Sequence, residues 1–82
     1  MSCKFRLIVT ESPTIGGDME HNFDIHEVYY VNGIPNYVDR QPINICGKSI
    51  KEIILIISEV NRALNNPTLW GDKRFPKEFK EE

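Results

Sequence analysis

The chain has 82 residues, 40% of them hydrophobic and 27% charged, with a formal net charge of −2. A length like this supports one small domain whose own core gives only marginal stability, so a further source of stability, such as a partner subunit, is expected. Both signs of charge are interspersed and the densest basic run, Lys73-Arg74 to Lys80, is broken by Glu78, which argues against a disordered chain and against nucleic acid as the primary partner.

Cys3 and Cys46 are too few and too far apart for a disulfide framework. The N-terminal MSCKFRLIVT carries no long apolar stretch with a cleavage site, and no segment reaches transmembrane length. A cytoplasmic location without a membrane partner is expected.

The first element is a strand over residues 4–10, where Phe5, Leu7 and Val9 alternate with Lys4, Arg6 and Thr10. Residues 11–21 contain Pro13, Gly16 and Gly17 and have no period, so they read as a mobile loop. Residues 22–31 form a second strand with Phe23, Ile25, Tyr29 and Val31 on one face and Asp24, His26, Val28 and Tyr30 on the other. Asn32-Gly33 follows, the preferred pair for a two-residue type I′ hairpin turn. A regular register from that turn pairs Val31 with Ile34, Tyr30 with Pro35, Tyr29 with Asn36, Val28 with Tyr37, Glu27 with Val38 and His26 with Asp39. Pro35 and Pro42 cannot donate to a ladder, so the third strand belongs at a sheet edge. Ile43 and Ile45 alternate with Asn44 and Cys46, which suggests a short continuation or a fourth strand.

Ser49 and Glu52 form a capping box ahead of a helix from Ile50 to about Leu64. Ile50, Ile53, Ile54, Ile57, Val60 and Leu64 make the stripe expected to face the sheet, flanked by Ile56 and Ala63. Leu55 projects among the charges of the other side, and the run Ile53 to Ile57 is more apolar than a two-layer fold requires. Asn65-Asn66-Pro67 stops the helix, with an asparagine able to take a left-handed cap. The fold expected is α+β: a three- to four-stranded antiparallel sheet with one long amphipathic helix on one face. Residues 1–69 form the domain and residues 70–82 a charged tail with Trp70, Phe75 and Phe79.

No constellation in the sequence makes an active site. Cys3, His21, His26 and Cys46 match no zinc knuckle or ribbon spacing, and no metal or other cofactor is expected. His26 opposite Asp39 resembles half of a nucleophilic site, with Cys46 as the one available thiol, but a cross-strand pair that stabilises the hairpin is the better reading. Gly47-Lys48-Ser49 lacks the glycine that a phosphate loop needs, since position 42 is proline. Catalysis is therefore not expected. The side chains suited to an interface are Tyr29, Tyr30 and Tyr37, exposed Leu55, and the tail aromatics Trp70, Phe75 and Phe79, which should dock on their own domain, swap onto another copy or hold a partner.

His26-Glu27-Val28-Tyr29-Tyr30, Gly33, Pro35, Pro42, Gly47, Ser49, Glu52-Ile53, Ala63-Leu64, Pro67 and Leu69 resemble a family of short bacterial proteins that share a "HEVYY, Gly-x-Pro, Pro, Gly-x-Ser, Glu-Leu, Ala-Leu, Pro-x-Leu" arrangement. The resemblance spans residues 25–69 and holds in spacing when one residue is dropped from the hairpin loop. It implies the strand, hairpin and helix layout and no catalytic residue. The apolar run Ile54 to Ile57 and the aromatic tail depart from that pattern, and both departures point to an added interface. A second resemblance, carried by strands leading through Gly47-Lys48-Ser49 into an amphipathic helix, is to the HicB-like antitoxin fold, whose members bind and block a small ribonuclease toxin. No segment of the tail is left over for operator binding. The function expected is that of a protein-binding module that occludes a partner protein or self-associates as a homodimer. The alternatives are a HicB-like antitoxin and a phage-encoded inhibitor of a host enzyme or defence complex.

Overall fold

Asn32 and Gly33 both adopt positive φ, 53° and 77°, as the type I′ turn demands, and this turn joins two strands of a four-stranded sheet. The computed structural model describes residues 2–80. Strand β1 (Ser2–Pro13) pairs antiparallel with β2 (Met19–Val31) along its whole length, from Ser2 opposite Tyr30 to Pro13 opposite Met19. Most of the stretch read as a loop is thus strand. The turn is confined to Thr14–Asp18, where the Thr14 amide donates to the Asp18 carbonyl at 2.7 Å and Gly17 sits at φ 91°. The ladder leaves no alternation to read there because Met19, Glu20 and His21 are all exposed.

Strand β3 (Ile34–Pro42) pairs antiparallel with β2, but the regular register fails twice. Val31 opposite Ile34 and Tyr30 opposite Pro35 are as expected; then Asn36 is bulged out, so Tyr29 faces Tyr37 and Val28 faces Val38. A second irregularity places His26 opposite Pro42 rather than Asp39. Extra residues beside Pro35 and ahead of Pro42 accommodate positions that lack an N–H donor. The expected strand through Ile43 and Ile45 does not form. The Ile43 amide donates to the Ile25 carbonyl at 2.8 Å, and the chain then leaves the sheet.

Helix α1 (Ile50–Leu64) begins where the capping pair places it: Ser49 Oγ accepts from the Glu52 amide at 3.2 Å, and the Glu52 carboxylate accepts from the Lys48 amide at 2.6 Å. It is an ordinary 15 residues long. At its end Asn65 keeps a right-handed backbone (φ −88°), and its amide donates to Arg62, while Asn66 Nδ2 donates to the Arg62 carbonyl ahead of Pro67. The left-handed cap expected at this point is absent.

Strand β4 (Leu69–Trp70) then pairs parallel to β1, with Ile8 beside Leu69 and Val9 beside Trp70. The sheet is therefore mixed, in the order β3-β2-β1-β4, rather than wholly antiparallel. The helix supplies the crossover a parallel neighbour requires: β3 runs in the direction of β1, α1 carries the chain back, and β4 repeats that direction on the far side.

Ile8, Val9, Val28, Tyr30, Ala63 and Leu69 are the buried apolar residues among those described. Ile8, Val28, Tyr30 and Leu69 cluster on one sheet face with Val38 and Phe75 packed against them. Arg6 lies on this face, only 9% exposed; its guanidinium donates to the Tyr30 hydroxyl and to the Pro67 carbonyl, which ties β1 to the turn before β4. Helix α1 touches β1 across the opposite face.

Candidate protein-binding surface

The smallest side chain on the apolar arc of α1 decides how the helix sits. Ala63 is fully buried, so the closest approach is on its side of the helix, with half-buried Ile53, Ile56 and Val60 beside it. This orientation corrects the expected inner stripe. Of the six residues assigned to it, Ile53 and Val60 turn inward, whereas Ile50, Ile54, Ile57 and Leu64 are between 51% and 80% exposed. At about 100° of rotation per residue these four share one side of the helix with Asn61, at spacings of four, three, four and three. Leu55, exposed as expected, projects from nearly the opposite side among Lys51, Ser58 and Arg62. The signal in the sequence was the five-residue run Ile53 to Ile57, too wide for one sheet to cover.

The charges of the helix keep clear of the exposed stripe. Lys51, Glu52, Glu59 and Arg62 all lie about 120° or more around the helix from Ile57. Glu59 pairs with Arg62 at 2.8 Å on that polar side. Between it and the start of β1 is a groove of about 540 Å³ lined by Cys3, Lys4, Phe5, Glu59, Arg62, Asn65 and Asn66.

The three tyrosines part company. Tyr30 is buried in the core with its hydroxyl bonded to Arg6, and so offers no surface to a partner. Tyr29 and Tyr37 face each other across β2 and β3 with ring centroids 5.8 Å apart, and Tyr37 is exposed. The Asn36 bulge brings them together, on the face opposite the one assigned to Tyr37 by the regular register. Tyr29 donates to the Glu27 carboxylate at 3.2 Å, and this bond raises its pKa.

The tail aromatics are engaged by their own chain. Gly71 donates to the Val9 carbonyl at 2.8 Å, and the segment then folds back on β4, with the Trp70 amide donating to the Lys77 carbonyl and Phe79 to Thr68. Trp70 and Phe79 meet edge to face at 5.1 Å, and His21 and Phe23 close the cluster from β2. The Arg74 guanidinium lies 3.3 Å above the Trp70 ring and binds Glu11 at 2.6 Å and Asp72. Hydrogen bonds from Arg74 hold the Asp72 carboxyl down at about 2, and they raise the Arg74 pKa in turn. Phe75 turns to the other sheet face and packs on the Ile8 cluster. The participation of His21 and Phe23 is invisible in the sequence, because it depends on the long β1–β2 ladder.

The weighed catalytic set does not assemble. His26 Nδ1 meets the backbone carbonyl of Asp39 at 2.7 Å, while the Asp39 carboxylate accepts from the Gln41 amide. Burial and the Glu27 carboxylate push the Cys3 thiol up, the reverse of activation. Cys46 is exposed on the irregular segment. Among the described residues no three His, Cys, Asp or Glu side chains converge on a metal position, and no helix is long and apolar enough to cross a membrane.

The chain matches no family model, no curated sequence and no solved structure.

Proposed function

We propose that the chain is a protein-binding module whose working surface is the open side of α1. The observation that carries this reading is the uncharged stripe Ile50, Ile54, Ile57 and Leu64, which no element among the described residues covers. Four large apolar side chains aligned on one helix form a face that fills a groove or meets another helix, whereas isolated exposed apolar residues need no explanation. Binding there acts by occlusion: the helix covers whatever part of its partner it sits on.

Affinity capture with the full chain tests the reading. A stoichiometric partner, foreign or a second copy, should be lost with Ile54→Lys and kept with Ile15→Lys, which alters a more exposed turn residue away from the helix. Association that ignores Ile54→Lys, or no association at all, contradicts it.

A second reading, an antitoxin-like module that blocks a small ribonuclease, is supported by the path of three antiparallel strands through Gly47–Ser49 into an amphipathic helix. Inhibition of such a ribonuclease by the purified chain, abolished by substitution of the blocking surface, is its test; failure to bind or inhibit rejects it.

A further inference from the structure

We infer that the occupant of the exposed α1 stripe is the same stripe of a second copy, with the two helices antiparallel about a two-fold axis near Ile57. The inference rests on the reading of α1 as a binding surface and names its partner.

The stripe is close to symmetric about its middle. Ile50 lies seven residues before Ile57 and Leu64 seven after it, with Ile54 and Asn61 filling the intervals. In an antiparallel pair Ile57 therefore meets its own copy, Ile50 meets Leu64 of the other chain at both ends, and Ile54 lies beside Asn61. Such a patch is self-complementary, as an isologous interface must be, and its four-three spacing is that of a helix-to-helix seam. A stripe without charge carries nothing to select an acidic or basic partner, yet it places no like charges on the axis. Antiparallel packing also sets the positive end of each helix beside the negative end of the other.

The stripe alone supplies part of the area that a pair of copies needs. The four side chains leave on the order of 400 Å² of apolar surface, as large as the biggest patch on an ordinary monomer. That is about half of the ~800 Å² per partner of a standard interface. Half-buried Ile53 and Val60 on one flank adjoin the stripe and extend it, with small Ser58 on the other flank. The gain matters to a chain with only Ile8, Val9, Val28, Tyr30, Ala63 and Leu69 buried among its described apolar residues.

Light scattering on the full chain at about 100 μM, a concentration suited to micromolar affinities, should give twice the 9.5 kDa chain mass. Ile57→Lys puts two ammonium groups on the axis and should weaken association at least about 100-fold, with an unchanged far-ultraviolet circular dichroism spectrum. Register is read separately on a Cys3→Ser, Cys46→Ser background: Ile57→Cys should oxidise to a linked dimer, and Ile50→Cys should link to Leu64→Cys in a mixture but not to itself. A wild-type monomer, a dimer that survives Ile57→Lys, or links formed by Ile50→Cys alone overturns the inference. A monomer that still captures a foreign partner through Ile54 overturns the two-fold pair and leaves the proposed function standing; a monomer that captures nothing overturns both.

Discussion

At the Trp70 end of the sheet the chain closes its own edge, whereas at the α1 end it lays down a helix and leaves half of that helix's apolar arc uncovered. The closed end draws on three separate parts of the sequence: His21 and Phe23 from β2, Glu11 from β1, and Trp70, Arg74, Phe75 and Phe79 from the C-terminal segment. The open end draws on α1 alone, because β1 meets only the arc around Ile53, Ile56, Val60 and Ala63. A short edge strand such as β4, with the tail bridged to its outer side, blunts association through strands. The helix keeps four large apolar side chains exposed on one side, the surface proposed for another molecule.

This contrast is sharpened first by removing a side chain from the closed end. Leu69→Ala deletes a buried member of the Ile8 cluster and should cost about 2–5 kcal/mol in urea unfolding. A loss below 1 kcal/mol would mean that the tail end is not closed. Gly71→Ala comes next, since a Cβ there would strike Ile8 Cγ2 and Thr10 Cγ2, with the Val9 carbonyl 3.4 Å away. The expected cost is about 1–3 kcal/mol, and a neutral result would show that the tail shifts freely on β1.

On the open side Ser49→Ala removes the oxygen that accepts from the Glu52 amide and should cost about 1 kcal/mol, seen as a lower midpoint in thermal circular dichroism. The smallest effect belongs to Asp72. Its folded pKa is depressed from 3.8 to about 2, so its contribution is fully present above pH 3.8 and is lost as the pH falls through about 2. Wild type and Asp72→Asn should therefore differ slightly in urea midpoint at pH 6 and converge toward pH 2; a gap that widens in acid would reverse the sign.

What the sequence revealed was what local chemistry decides. Asn32-Gly33 set the hairpin, Ser49 and Glu52 set the helix start, and Pro67 set its stop, because each acts through its own backbone or that of near neighbours. The bulge at Asn36 was not legible: it concerns how Pro35 is accommodated against β2, and it moved Tyr37 to the face of Tyr29. Two-residue β4 was too short to show a period, and its parallel pairing follows from the path of the whole chain. The roll of α1 was hidden for a related reason. A helical apolar arc shows which side is inward only to within its own width, and with Ile53 to Ile57 wholly apolar, the burial of Ala63 settled it. Excess width in the pattern was nevertheless visible, and it marks the candidate surface.

Amide hydrogen exchange followed as a function of protein concentration tests the open-and-closed account most directly. Amides of Ile53–Leu64 should exchange more slowly as concentration rises through the association range, while those of Leu69–Phe79 keep their protection throughout. Equal concentration dependence at both ends, or none in the helix, would contradict it.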